Sequence, residues 1–379
     1  MTTSEQTHFS GLLGQIADEL DIPPSKRDDV EEKYMAVTGW LSDPDASLAP
    51  YNPDIYPHGS FRLGTVVRPL ERDEFDLDFV ACLGIFANSQ NQNDVKQMVG
   101  DRLKENGTYR TNRMIREKNR CWQIRYAGDF HMDIMPAVPD DRTAANGSIL
   151  VSDKNLNEWK PSNPRGFAVW FDKQQVPFRQ AFRALKQASV EELPDKKIKT
   201  PLQMTIQILK RHRDMRFKSE PKLRPSSIVL TTLAAKAYGQ QQDLVETLYT
   251  VVRGMPGEIE YDVSGIPVVR NPTNPEENFA EKWQEYPERF NAFRSWLLQL
   301  TQDMNYLLTL KGARVGDFLK QLLGEREVNA VFRARATAIS EAHQEGRLDA
   351  GTGGGITIVT RPSMASRPVQ RSTSYGVRL

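Results

Sequence analysis

Asp76 and Asp78 lie two positions apart in Phe75-Asp76-Leu77-Asp78-Phe79, an alternating run that reads as a β-strand. Residues i and i+2 of a strand project from the same face. The two carboxylates therefore point together, while Phe75, Leu77 and Phe79 enter the core on the other side. Like charges so placed are unfavourable unless a cation sits between them. A hard cation with oxygen ligands is the natural partner, and magnesium beside a phosphate is its commonest form. A half-buried edge strand with a solvated acidic face would show the same bare pattern. A second alternating stretch, Phe130-His131-Met132-Asp133-Ile134-Met135, places Asp133 on the face opposite Phe130, Met132 and Ile134. If the strands are neighbours, three carboxylates share one sheet face. Such a face can hold two cations about 3.5–4 Å apart, which stabilise the attacking and leaving oxygens of a displacement. Asp76 and Asp78 would then carry the metal bound to a triphosphate. Asp133 would complete the second site and help to deprotonate the attacking hydroxyl.

A phosphate-binding turn precedes the first acidic strand. His58-Gly59-Ser60-Phe61-Arg62-Leu63-Gly64-Thr65 is bounded by glycines and opens a short helix. Gly59 lets backbone approach a phosphate, free N–H groups at a helix start favour anions, and Ser60 adds a hydroxyl donor. An ordinary capped turn would look the same in isolation; the order Gly-Ser, Gly-Thr, then paired aspartates is what makes it specific.

The surrounding elements divide into two kinds. Leu12, Leu13, Ile16 and Leu20 recur at helical spacing, and Ser25 is the expected N-cap of a second helix striped by Val30, Tyr34, Val37 and Leu41. Val95, Met98, Val99 and Leu103 mark another helix, stopped near Gly107. Short strand patterns fill Tyr109 to Val138, with Gly128-Asp129 as a hairpin turn. The first part of the chain is thus an α+β unit on a mixed sheet. Beyond Pro177 the pattern is helical: one helix from Pro201 to about His212, one over Ser226 to Tyr238, and one over Pro287 to Leu310. The expected division is 1–175 catalytic with N-terminal helices, 176–345 helical, and 346–379 a flexible tail. From Gly351 the tail has four arginines and no acidic residue, a composition that buries no core.

The bulk numbers narrow the function classes. The chain has 379 residues, 39% of them hydrophobic, with 50 Lys and Arg against 49 Asp and Glu, for a formal net charge of +1. The basic excess of a protein gripping long nucleic acid is missing, so small charged ligands fit better than duplex DNA. Mean hydropathy is -0.55, and no long apolar run suggests a membrane span or a signal peptide. Cys82 and Cys121 form no metal-binding pair, and a cytoplasmic location is expected.

Gly59-Ser60-Phe61-Arg62-Leu63-Gly64-Thr65 followed by Asp76-Leu77-Asp78 resembles the signature of the DNA polymerase β-like nucleotidyltransferases. More narrowly, the chain resembles the bacterial cGAS/DncV-like nucleotidyltransferases, the CD-NTases of CBASS anti-phage defence, relatives of animal cGAS and oligoadenylate synthase. The resemblance continues through Ile208 to Asp214, Pro225 to Leu233, and Asn271 to Asn278, covering roughly Ser10 to Gly324. It implies a two-lobed fold with nucleoside triphosphates (ATP among them) bound between the lobes. The hydroxyl of one nucleotide attacks the α-phosphate of another, pyrophosphate leaves, and a linear intermediate closes into a cyclic di- or trinucleotide. It further implies two Mg2+ ions, with Mn2+ a substitute, and contacts from Lys210 and Ser227 to the donor triphosphate. A solvated Lys210 and a helix-capping Ser227 are the plainer readings. The run Lys210, Arg211, Arg213, Arg216 and Lys218, and the set Arg113, Arg116, Lys118, Arg120 and Arg125, read partly as surface charge. No duplex-DNA activator is expected. An accessory CBASS protein could dock on the tail, where Ile356 to Val359 is β-prone. An enzyme adding nucleotides to RNA ends, or to a protein or small molecule, would share the catalytic residues. It should carry a basic RNA track in the first case, or lack the helical lobe in the second.

Overall fold

The computed structural model describes residues 3–70, 75–111, 114–126, 130–143, 147–181, 199–350 and 356–358. The turn expected at Gly128-Asp129, Arg113 and most of the tail lie outside them.

A mixed seven-stranded sheet forms one lobe. Its strands are β1 (Asp54–Pro57), β2 (Phe75–Cys82), β3 (Ile115–Glu117), β4 (Trp122–Tyr126), β5 (Phe130–Pro139), β6 (Ile149–Asp153) and β7 (Glu158–Ser162). They are ordered β1-β2-β5-β4-β3, with β6 joining β5 to β7. Only β2 and β5 run parallel, and these are the two strands that carry the aspartates. Their apolar sides read as the alternation requires: Leu77 is 0% exposed, Phe79 2% and Met132 0%. Helix α1 spans Thr3–Glu19 and α2 Pro24–Leu41. Helix α3 is the short Gly59–Leu63 segment, and α4 covers Gln92–Glu105. Tyr109 belongs to a one-turn helix, α5 (Gly107–Thr111), and not to the strand region expected there. Ser25 lies inside α2; Pro23 occupies the N-cap and Pro24 the first turn, where its missing N–H is no loss.

Two helices clamp the buried face of the sheet. Tyr34 of α2 stacks on Phe79, with ring centroids 4.8 Å apart. Helix α4 approaches β4 at Gly100, where a Cβ would lie 2.2 Å from the Trp122 ring. The Trp122 indole N–H donates to the Lys96 carbonyl at 2.8 Å. Only glycine permits this approach.

The second lobe is helical. After α6 (Pro164–Gln174) come α7 (Pro201–Arg216), α8 (Ser227–Ala237) and α9 (Leu244–Gly254). A hairpin follows within Arg270–Asn278, and then α10 (Lys282–Glu285), α11 (Pro287–Leu307), α12 (Ala313–Leu323) and α13 (Glu325–Gln344). Thr200 and Gln203 form a reciprocal capping box at the start of α7. Phe9, Leu13 and Ile16 of α1 share a core with Leu202, Ile206 and Trp296 of this lobe, while Val30, Val37 and Leu41 of α2 share one with the sheet. The expected boundary at 175/176 follows the chain; the cores partition differently, with α1 serving the helical side. Leu348–Ala350 pairs antiparallel with Ile356–Ile358, so the β-prone run is matched by the chain's own strand. Among the described residues no helix is long and apolar enough to cross a membrane.

Candidate active site

The parallel pairing of β2 and β5 sets Asp76 opposite His131 and Asp78 opposite Asp133. Neighbouring strands lie about 4.8 Å apart, so the three expected carboxylates share one face, as their alternation requires. Their surroundings differ. Asp76 is exposed, and His131 Nε2 lies 2.8 Å from its Oδ1. Burial pushes the Asp76 carboxyl up, but the His131 hydrogen bond and the charges of His131 and Lys118 together outweigh it and hold the group below its ordinary range. The same hydrogen bond raises His131. Asp133 accepts from Lys118 Nζ at 3.0 Å and from Gln123 Nε2 at 2.9 Å.

Asp78 has no such partner among the described residues. Its pKa is pushed up to about 7, first by burial and then by the charges of Asp76 and Asp133. One of its carboxylate oxygens rests against Gly59, where a Cβ would come within 2.4 Å of it. Gly59 also has φ +60°, so glycine is demanded twice, by conformation and by space. The His58 N–H donates to the Asp78 carbonyl at 2.9 Å, tying the turn to the acidic strand. Burial lowers the neighbouring His58 imidazole to about 4. The Ser60 hydroxyl bonds to no described residue and faces a cleft of about 850 Å³ between the lobes.

The opposite wall comes from α7 and α8. Lys210 is 4% exposed, which removes the solvated reading. Helix α7 extends to Arg216, so Lys210 is interior to it rather than near its end. Its ammonium donates to the Thr65 carbonyl at 2.9 Å and to the Thr65 hydroxyl at 3.1 Å. Burial first, then Arg213, lowers its pKa to about 7. Gln203 donates to the Leu63 carbonyl at 2.9 Å and Gln207 to the Val66 carbonyl at 2.6 Å. Residues 203, 207 and 210 form one helical stripe that grips the phosphate turn from behind. Ser227 is the first residue of α8; the N-cap is Ser226, which makes no side-chain cap. The Ser227 hydroxyl accepts from Arg213 at 2.9 Å. Arg211 and Arg213 are 1% and 6% exposed, so the basic run is largely interior and only its distal end, Arg216 and Lys218, is surface charge.

Lys210, Ser227, Asp76, Asp78 and Ser60 all line the cleft; Asp133 does not. Sequence reasoning missed His131, Lys118, Gln203 and Gln207 as site groups. The glutamines did carry a signal: polar residues at helical spacing among Leu202, Ile206 and Leu209 have to find partners inside.

Asp76, His131 and Asp133 each present one ligand atom within 4.8 Å of the others. With Asp78 beside them, this donor set suits a divalent cation. Burial is the first cause of the raised Asp78 carboxyl, and the neighbouring charges of Asp76 and Asp133 add to it.

Residues 1–175 match the family described as the Second Messenger Oligonucleotide or Dinucleotide Synthetase domain. Over 383 residues, 99% of both chains, the sequence is 29% identical to the c-di-GMP synthase of Roseivirga ehrenbergii. The chain is thus similar over its whole length to a cyclic dinucleotide synthase, and over residues 1–175 to the synthetase domain family. The solved CD-NTase CdnG of Bradyrhizobium diazoefficiens, in complex with GTP, shares the fold at TM-score 0.70 and 23% identity, covering 85% of this chain and 96% of that one. The E. coli MS115-1 CdnC:HORMA-deltaN complex matches at TM-score 0.62 and 16% identity, covering 85% and 99%. Within this fold, Asp76 and Asp78 lie on β2 and Asp133 on β5.

Proposed function

We propose that this chain joins nucleoside triphosphates, guanine nucleotides foremost, into a cyclic dinucleotide. The carrying observation is the in-register pairing of Asp78 with Asp133, beside Asp76 and across a cleft from Lys210 and Ser227. The names of the relatives, a c-di-GMP synthase and the cyclic dinucleotide synthase CdnG, support the product class and the base.

Asp76, Asp78 and Asp133, with His131 at their edge, would hold divalent cations, Mg2+ being the expected ion. Bound there, the ions supply charge stabilisation for the attacking and leaving oxygens of the displacement. The rest falls to the chain's own residues. Gly59 and Ser60 offer backbone and hydroxyl donors to the donor triphosphate. Lys210, with two of its three N–H groups spent on Thr65, has one left for a phosphate oxygen. Ser227 and the uncapped start of α8 offer further donors. The ribose hydroxyl oxygen of the acceptor attacks the α-phosphorus of the donor, the bond to pyrophosphate breaks, and the hydroxyl proton passes by way of Asp133 to solvent. Repeating the step within the linear intermediate closes the ring. The CdnC structure is of a complex with a HORMA protein, which supports accessory proteins as partners of this chain too.

Incubation with labelled GTP or ATP and Mg2+, followed by nuclease digestion and mass spectrometry, tests the reading. A phosphatase-resistant cyclic product from GTP is expected. Label appearing only on RNA ends or on protein would overturn it.

A further inference from the structure

Of the three carboxylates, Asp133 is the one already paired with an ammonium among the described residues. Lys118 Nζ lies 3.0 Å from Oδ2 and 3.3 Å from Oδ1 of Asp133, and Gln123 Nε2 lies 2.9 Å from Oδ1. The Asp133 side chain is 14% exposed and that of Lys118 36%. Asp76, by contrast, is 63% exposed, and no side-chain donor among the described residues reaches Asp78.

Lys118 is aimed from below. It sits in the turn between β3 and β4, whose backbone is fastened by Lys96 of α4. The Lys96 side chain is fully buried; its ammonium donates to the carbonyls of Lys118 and of Asn119, the latter at 2.7 Å, and pairs with Glu117 at 3.3 Å. A buried ammonium held by three acceptors is a costly fixture, and what it fixes is the backbone from which Lys118 extends. Among the described residues the Lys118 side chain is held only by Asp133, and it can withdraw toward solvent without disturbing that backbone.

We propose that Lys118 is a resident cation at Asp133, occupying the place of a second divalent ion until that ion and the acceptor nucleotide arrive. The proposal rests on the metal reading above. The resting enzyme then binds one divalent ion well and a second poorly. With only a donor nucleotide bound, Asp133 is still engaged and cannot take a proton from water. Attack of water on the α-phosphorus, which would release a nucleoside monophosphate and pyrophosphate, is thereby suppressed until the acceptor is in place. Lys118 is in this sense a positioning residue that times the use of Asp133.

Mn2+ titrated into nucleotide-free protein at one fixed pH, with the free ion counted by electron paramagnetic resonance, tests this directly. Wild type and Lys118→Arg should bind one ion tightly. Lys118→Met and Lys118→Gln should bind a second, with affinity higher by at least about tenfold, because a like charge within about 4 Å has been removed. Asp133→Asn added to Lys118→Met should abolish that gain. The same two neutral variants should release more monophosphate from GTP supplied at low concentration. Second-ion binding in both neutral variants no tighter than in wild type, with an unchanged circular dichroism spectrum, would overturn the role of Lys118. If ion binding is then still lost in Asp76→Asn with Asp78→Asn, the metal reading stands without it. No Mn2+ binding by any variant, wild type included, would overturn both.

Discussion

The two walls of the cleft use polar groups in opposite ways. On the sheet wall, Asp78 lies half-buried with no side-chain donor among the described residues and a carboxyl pushed up to about 7. On the helix wall, Gln203, Gln207 and Lys210 are buried but spend their donors on the carbonyls of residues 63, 66 and 65. The first arrangement leaves an electrostatic demand that a ligand can meet. The second spends most of its donors internally, one Lys210 N–H excepted, and turns three side chains into a brace for the phosphate turn. An acceptor left without a donor marks where chemistry is done; donors spent on distant carbonyls mark what holds the chemistry in place.

The sharpest way to break this contrast is to remove the demand. Asp76→Asn with Asp78→Asn takes away ligands for ions that supply several kcal/mol, and each 1.4 kcal/mol is about tenfold in rate. Product formation should fall by about a thousandfold or more while the fold is kept. Wild-type turnover in the folded double variant would show that the sheet wall is not catalytic.

On the helix wall the effect should be smaller and mixed. Lys210→Met should raise KM for nucleoside triphosphate about 10–100-fold, as expected for loss of a charged hydrogen bond worth about 1.5–3 kcal/mol, and should also lower the melting temperature. Gln207→Leu leaves the Val66 carbonyl unpaired and should cost about 1–3 kcal/mol of stability, with less effect on KM. Were Lys210→Met to lower stability alone, the lysine would be purely a brace.

A third measurement concerns acidity in nucleotide-free protein without divalent ions. Because the folded pKa of Asp78 is raised above its unfolded value, the native state binds more protons between about pH 4 and 7. The Asp78 contribution to stability is therefore complete at acid pH and is lost as pH rises through about 7. Asp78→Asn should remove that loss, raising the melting temperature at pH 8 by about 2–4 °C for each kcal/mol recovered. Thermal scans at pH 5 and pH 8 check it, and an equal effect at both would deny that charge is what Asp78 suffers from.

The smallest effect belongs to the rim. Arg120 pairs with Asp153 at 2.7 Å and with Glu281 at 2.9 Å across the mouth of the cleft. Glu281→Gln breaks an exposed bridge worth about 0–1 kcal/mol, so stability should hardly move. A larger loss would mean that the two walls depend on the rim for their separation.

How much of this was legible in the sequence follows from the range of the interactions. The acidic strands were readable because a two-residue period fixes which face a side chain takes, and Phe75, Leu77 and Phe79 declared the core side. The Gly59 turn was readable from glycine placement. That β2 and β5 are parallel neighbours, with Asp78 level with Asp133, depends on strand pairing 55 positions apart, which periodicity does not encode. The brace was hidden for the same reason: Gln203 and Lys210 reach carbonyls about 140 positions away. Lys118 and Arg211 looked like surface charge because composition cannot distinguish a solvated cation from one with an assigned acceptor. The break before α2 was placed a residue or two late because a serine cap was expected where a proline begins the helix.

The flush packing of α4 on β4 has a consequence for genetics. With the Trp122 ring where any side chain of Gly100 would have to go, Gly100→Ala overpacks the interface at a cost of about 1–3 kcal/mol. In a saturation survey scored by survival or defence phenotype, Gly100 would stand among the intolerant positions alongside Asp78, for want of a few cubic ångströms rather than of a reactive group. A phenotype map of this chain would therefore superimpose two codes, one for volume and one for charge. They separate only when each variant's soluble abundance is measured next to its product yield.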